Sequence, residues 1–258
     1  MILSSALALP FKPCRIVSLV PSQTELLYHL NLDEVTIGIT KFCVHPQKWF
    51  RNKTRVGGTK NADIQKIKAL NPDLIIANKE ENVQQQIEAL AVDFPVWVTD
   101  VNTLEDALQM ITDIGQLTYT IPGAAGLVQE LQNMFVALET TSALVPAAYL
   151  IWKDPYMTVG ADTFIHDMMR HAGFSNIFAN KSRYPEVSID DIKASGCAVL
   201  LLSSEPYPFK QTHINELQKE LEGIKVTLVD GELFSWYGSR LLHSPPYFQK
   251  LMQQLIES

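Results

Sequence analysis

The sequence predicts an α/β fold of two similar lobes, each a mainly parallel sheet flanked by helices, joined by one long helix. Three observations carry this. Short β-branched runs alternate with amphipathic helical stretches, which implies parallel pairing with helices on both faces. The same order of elements returns 125 residues later in the 258-residue chain. A single apolar stripe of helical period divides the two halves.

Taken in order, Arg15 to Val20 is a β-branched run, followed by Pro21-Ser22-Gln23-Thr24-Glu25, which supplies helix-start chemistry ahead of Leu26, Leu27 and Leu30 at helical spacing. Val35 to Ile39 gives a second strand, and Phe42 to Thr59, rich in aromatic, His and Pro residues, reads as a loop. Ile64, Ile67 and Leu70 make a short amphipathic helix, Asp73 to Ala77 a buried strand, Glu81 to Ala91 a helix, Pro95 to Thr99 a strand and Leu104 to Leu117 a helix. Pro122 suits the first turn of the next helix. Leu127, Leu131, Met134 and Leu138 form one stripe with polar residues opposite, so a helix from about Pro122 to Thr141 is expected, roughly 30 Å long. Ala147 to Trp152 then opens a new strand.

Shifting by 125 places Ile64, Ile67, Lys68 and Ala69 on Ile189, Ile192, Lys193 and Ala194, Leu74-Ile75-Ile76 on Val199-Leu200-Leu201, and Glu80 on Glu205. Both copies run on to a strand that ends in Asp, at Asp100 and Asp230. The expected organisation is a first lobe over 1–120, a connecting helical segment over 121–144 and a second lobe over 145–258.

Composition narrows the function classes. Hydrophobic residues make up 47% of the chain, enough for a packed core. The net charge of −7, without a basic block, argues against nucleic acid as a partner. Cys14, Cys43 and Cys197 are too few and scattered for a disulfide framework. The longest apolar runs are strand-sized, well short of the ~20 residues a membrane span needs. Met1 to Phe11 is mostly apolar, but no Lys or Arg precedes its apolar run and Pro10 interrupts it, a poor match to a signal peptide.

Six segments in order around the helical divider resemble a known family: Arg15-Ile16-Val17-Ser18-Leu19-Val20-Pro21-Ser22-Gln23-Thr24-Glu25, Val56-Gly57-Gly58-Thr59, Leu70-Asn71-Pro72-Asp73-Leu74-Ile75-Ile76-Ala77, Thr158-Val159-Gly160, Gly173 to Phe178 and Asp230 to Arg240. The resemblance, which runs from about Arg15 to the C-terminus, is to the helical-backbone metal-chelate receptors. These are the substrate-binding proteins of ABC importers, with cobalamin-binding and ferric-siderophore-binding members. It implies a ligand cleft between the lobes and an ABC permease as partner. No Gly-x-Ser-x-Gly elbow or paired-carboxylate arrangement with catalytic spacing is present, so no enzymatic activity is expected, and the expected receptor is a monomer without a covalent cofactor. The resemblance places the chain in the periplasm or cell envelope, whereas the poor signal peptide leaves the cytoplasm open.

Such a cleft lies beyond the C-terminal ends of the strands, where open parallel sheets hold ligands. The candidates there are Ser22, Gln23, Phe42, Thr59, Lys60 and Glu80 from the first lobe. The second offers Trp152, Tyr156, Met157, Tyr184, Glu205, Tyr207, Trp236, Tyr237 and Arg240. The second set is aromatic, suited to stacking on a flat macrocycle, and Arg240 is suited to bidentate pairing with a carboxylate or phosphate. Against the cobalamin-binding members, Phe42 falls at a Tyr and Tyr184 at a Trp, while Thr59 and Asn78 stand at Trp positions, and Glu232 and Trp236 fall in a segment that carries Asp and Arg. The ligand class is therefore a corrinoid, a haem-like macrocycle or a ferric siderophore. The family's two permease-docking carboxylates correspond to Gln65 and Asp190, which the 125-residue shift also pairs, with Asp63 and Asp191 as neighbouring acids.

Other chemistry is thinly represented. His166 and His171, five apart on one helix, are turned about 140° from each other, and no His-x-x-x-His or Cys-x-x-Cys motif exists. No resident metal site is expected. Gly57-Gly58-Thr59-Lys60 lacks the earlier Gly of a phosphate loop and reads as a tight turn. Two rival readings stay open: a cytosolic enzyme or chaperone of tetrapyrrole or metal metabolism with chelatase-like lobes, and direct metal binding through Cys43, His45 or another His.

Overall fold

The structure, a computed structural model, describes residues 1–138 and 143–256. The chain divides into two compact units. One comprises Met1–Val101, Glu105–Gln132 and Trp236–Arg240; the other comprises Asn102–Leu104 and the described residues of Asn133–Ser235 and Leu241–Ser258.

In the first unit the elements are β1 (Ile16–Ser18), α1 (Pro21–His29), β2 (Thr36–Ile39), α2 (Gln47–Asn52), β3 (Thr54–Arg55), α3 (Ile64–Leu70), β4 (Leu74–Asn78), α4 (Gln84–Ala91) and β5 (Val96–Thr99), with α5 (Leu104–Leu117) from Glu105 onward and α6 (Ile121–Val136) as far as Gln132. The sheet order is β3-β2-β1-β4-β5, with every pair parallel. Strands β1 and β4 are buried at every position, which is why they read as continuous apolar runs rather than alternating ones. Val17, Ile75 and Val96 pack with Ile67, Ile87 and Leu90 from the covering helices. The apolar N-terminal stretch extends the β5 edge: Ile2 bridges Val96, the Leu3 N–H donates to Val96 O (2.9 Å), and Leu3 and Leu9 are buried.

Two expectations in this unit are corrected. The Phe42 to Thr59 stretch is not all loop. It contains α2, whose Trp49 is fully buried edge-on to Tyr28 at 5.4 Å, and β3, which pairs with Gly38 and Ile39. Burial of one Trp gives this charged six-residue helix the tertiary packing that its sequence pattern does not announce. The dividing helix is also shorter than expected. It ends at Val136, with the Ala137 N–H donating to Asn133 O (3.0 Å), ahead of the poor helix formers Thr140, Thr141 and Ser142. Of the expected 122–141 helix and 121–144 segment, residues 139–142 lie outside the described residues.

The second unit contains β6 (Val145–Leu150), α7 (Phe164–His171), β7 (Phe174–Asn176), α8 (Ile189–Ala194), β8 (Val199–Ser203), α9 (Gln211–Glu220), β9 (Lys225–Val229), α10 (Glu232–Ser235) and α11 (Ser244–Ile256). Its sheet is β7-β6-β8-β9, again all parallel. This matches β2-β1-β4-β5 strand for strand, and β4 and β8 coincide residue for residue under the 125-residue shift. The internal repeat read from the sequence is therefore a repeat of topology. Among the described residues, no helix is long and apolar enough to cross a membrane.

Candidate functional site

The candidates of the first unit lie where the strands end, but three of the six, Ser22, Gln23 and Thr59, are part of its floor. Ser22 and Gln23 follow β1 in the first turn of α1 and are buried. The Gln23 amide donates from Nε2 to Thr99 Oγ1 (2.5 Å), at the end of β5. Asn78, the last residue of β4, donates to Thr99 O and Oγ1 (both 3.1 Å), while its Oδ1 accepts the Glu80 and Glu81 N–H groups. Asn82 donates to the Leu19 and Thr59 carbonyls. Thr59 thus lies buried in the same polar layer, at the end of a turn in which Gly57 has φ +96° and bridges Ala62. The tight-turn reading of this loop holds, and an L side chain at Gly57 would set its Cβ 2.5 Å from Asn61 O.

Above this floor stand Phe42, half exposed with Lys41 Nζ 5.1 Å from its ring centroid, and Lys60, which donates to the Glu80 carbonyl. Burial pushes the adjacent Glu81 carboxyl up, against the pull of Lys60. Asn78, Asn82 and Thr99 were not recognised as a buried polar layer from sequence. The available signal was Asn at a strand end followed by Asn four residues on, a pattern that turns chain by side-chain-to-backbone bonding.

Trp236, Tyr237 and Arg240, expected with the second lobe, belong to the first unit. The physical reason is a set of contacts to α1 and the loop after β2. Arg240 donates to both carboxylate oxygens of Glu25 (2.8 and 2.7 Å), and its guanidinium lies 5.0 Å over the Trp236 ring. Trp236 and Tyr237 are buried, and His45 packs edge-on to Trp236 at 5.5 Å. Arg240 makes the bidentate pairing that the sequence suited it for, with a carboxylate of the protein itself.

In the second unit the candidates form three groups. Trp152, 41% exposed, stands after β6 with Tyr207 edge-on at 5.7 Å, and Tyr207 packs in turn on Phe209 (4.7 Å) and His213. Tyr156 and Met157 lie on the turn that bridges back to Trp152, and Met157 also bridges Glu186, two residues after Tyr184. Tyr184 is half-buried with Arg183 over its ring. Burial raises the Tyr156 hydroxyl above its ordinary range, so it stays a neutral donor at physiological pH.

Glu205 belongs to the third group. A cavity of about 500 Å³ opens at the carboxyl ends of β8 and β9, lined by Ser204, Glu205, Leu228, Val229, Asp230 and Glu232. The Ser235 hydroxyl donates to Glu205 Oε1 (2.6 Å), and the Gly231 N–H donates to Ser204 Oγ (2.9 Å). Residue 231 must be glycine for this wall to close, because an added Cβ would lie 2.3 Å from Ser203 Oγ. Three carboxylates around one opening suit N–H donors or cationic groups of a ligand. Asp230 and the aromatic partners Phe209 and His213 are additions to the sequence-derived set.

The docking candidates differ in availability. Gln65 is exposed on α3, and Asp190 is exposed on α8 at 3.8 Å from Lys193. Their neighbours Asp63 and Asp191 are helix caps: Asp63 accepts the Lys66 N–H, and Asp191 closes a capping box with Ser188. The metal-ligand candidates also have other partners. Cys43 is buried against the Thr24 and Thr40 hydroxyls, His45 lies on Trp236, and His166 and His171 bond different neighbours, Asn176 and Asp167. Among the described residues, no three His, Cys, Asp or Glu side chains gather as a metal site.

The sequence of residues 16–224 matches the family model of the periplasmic binding proteins. A vitamin B12-binding protein of Vibrio parahaemolyticus is 26% identical over 194 residues, covering 73% of this chain and 70% of the relative. Among solved structures, the periplasmic vitamin B12 binding protein BtuF of Vibrio cholerae shares the fold at a TM-score of 0.80 and 20% identity, covering 96% of this chain and 100% of that one. The periplasmic heme binding protein HutB of Vibrio cholerae does so at 0.79 and 20%, covering 92% and 98%.

Proposed function

The chain belongs to the periplasmic binding protein family, and from that premise we propose that it is the ligand-capturing component of an ABC importer for a metal chelate, a corrinoid, a haem-like macrocycle or a ferric siderophore. The observation that carries the chelate reading is the exposed Trp152 with Tyr207 edge-on beside it at the carboxyl ends of β6 and β8. Flat conjugated ligands bury large area on such a ring at low conformational cost. Tyr156, Met157 and Tyr184 supply further apolar surface in the same unit, and Phe42 does so in the first. Lys60 and Glu80 in the first unit, and the acid-lined opening at Glu205 in the second, each offer polar partners for a ligand. Within the first unit, the floor residues Ser22, Gln23 and Thr59 act by shaping the surface on which Phe42 and Lys60 stand.

The receptor is a binding protein and not an enzyme in this reading, which the family favours over the chelatase-like alternative. Delivery requires docking to a permease, for which Asp190 is the available acid of the second unit and Gln65 the matching position of the first.

Titration of the purified protein with cyanocobalamin, haemin and ferrioxamine, followed by absorbance and Trp fluorescence, tests the reading. Saturable quenching with one of the three is expected. No spectral, fluorescence or thermal shift with any of them would overturn it.

A further inference from the structure

We propose that His213 is a positioning residue that sets Tyr207 as an outward hydrogen-bond donor beside Trp152, so that this aromatic wall selects flat chelates whose rim carries oxygen acceptors, carboxylates or amide carbonyls. The inference rests on the receptor reading and deepens it.

The argument begins with a tautomer. Lys210 precedes α9, and its N–H donates to His213 Nδ1 at 2.9 Å. A ring nitrogen that accepts a hydrogen bond holds its lone pair, so the neutral imidazole carries its proton on Nε2. That nitrogen lies 3.4 Å from Tyr207 Oη. The direction of the contact follows: Nε2–H donates and the phenol oxygen accepts. Tyr207 then still has its own proton to give, and among the described residues no acceptor takes it.

Neighbouring rings hold the phenol in place. Phe209, buried, packs on Tyr207 at 4.7 Å and on His213 at 5.4 Å, while Trp152 closes the other side of Tyr207 at 5.7 Å. The turn bearing Trp152 is tied to the same helix, since Lys153 Nζ donates to Glu216 at 2.9 Å. The tautomer also assigns His213 away from metal ligation, because its lone pair is engaged by Lys210 N–H and its other nitrogen is protonated.

Two measurements test this. In the ligand-free protein, ¹⁵N–¹H correlation of the His213 ring is expected to show the Nε2–H tautomer. Affinities for cyanocobalamin and haemin, whose rims carry amide carbonyls and carboxylates, are then compared in wild type, Tyr207→Phe, His213→Phe and the double variant, with thermal midpoints as the folding control. Tyr207→Phe is expected to weaken the bound probe at least tenfold. His213→Phe is expected to do nearly the same alone and to add less than twofold in the Tyr207→Phe background, a non-additivity that a merely structural histidine would not give. Wild-type affinity in Tyr207→Phe, or equal losses from His213→Phe in both backgrounds, overturns the inference. An Nδ1–H tautomer with intact binding overturns it while leaving the receptor reading in place; binding of neither probe by the wild type overturns both.

Discussion

Arg240 grips Glu25 from 215 residues away in sequence, Nε–H to one carboxylate oxygen at 2.8 Å and Nη2–H to the other at 2.7 Å. Both side chains are largely buried, at 14% and 19% exposure. Removing one member therefore leaves a poorly solvated charge. Arg240→Ala is expected to lower the stability of the protein by about 2 kcal/mol, within the range for hydrogen bonds to charged groups. Arg240→Lys recovers only part of this, because an ammonium does not match a carboxylate bidentately. Urea denaturation of the two variants and wild type decides the matter; an unchanged midpoint in Arg240→Ala would refute the structural role.

The two tryptophans singled out from the sequence separate into opposite roles. Trp152 is exposed, whereas Trp236 is 8% exposed between Arg240 and His45. Trp152→Ala is expected to weaken the chelate at least tenfold, about 1.4 kcal/mol, with little change in thermal midpoint. Trp236→Ala is expected to destabilise the fold by about 3 kcal/mol through cavity formation. Paired thermal melts and ligand titrations distinguish them. The reverse pattern, a stable Trp236→Ala that fails to bind, would place the ligand wall on the wrong ring.

How much of this was legible in the sequence depended on the range of the interactions. The strands were readable because β4 and β8 are buried on both faces and so appear as unbroken apolar runs. The repeat was readable because the same topology requires the same order of elements. Helix α2 was not, since its fold rests on one Trp packing on Tyr28 rather than on any period. The placement of the candidates was half readable: Trp152, Tyr207 and Glu205 stand beyond strand ends as the order of elements implied, but whether a residue lies in the floor or above it was not legible. Gln23 and Thr59 are hidden by bonds to Thr99 and Asn82, partners 76 and 23 residues away. Nothing local assigns Trp236 to Arg240 to the first unit either, because Glu25 is the residue that holds them.

Docking to a permease is expected to depend on Asp190 and not on the nearby acids. Asp63 and Asp191 are engaged as caps, and the bonds from the Ser188 N–H and hydroxyl hold the Asp191 carboxyl below its usual range. Asp190→Asn should weaken coupling to the reconstituted permease a few-fold, an effect that fades at high salt as exposed charge pairs do. Gln65→Glu, which supplies an acid to the first unit, should strengthen it. Asp63→Ala should instead cost about 1 kcal/mol of stability from the lost cap. Chelate-stimulated ATPase activity in proteoliposomes reads the first two, and a loss of coupling in Asp63→Ala without loss of stability would shift the docking role to that residue.

Asp167 gives the second unit a defined acid response. Burial pushes its carboxyl up, but hydrogen bonds from His171, Arg170 and the Leu104 N–H outweigh that and hold it well below the usual carboxylate range. Folding therefore favours the ionised form. The stability from this group is complete above the unfolded carboxylate's pKa near 3.8 and is lost as pH falls through it toward the lower folded value. Asp167→Asn keeps the shape but removes the charge that Arg170 and His171 meet, and it is expected to cost about 2 kcal/mol at pH 7. Below about pH 4 the wild-type advantage should shrink, so the two stability profiles converge on the acid side. Urea midpoints measured from pH 2.5 to 7 check this, and parallel profiles across that range would show that Asp167 is not the group that titrates.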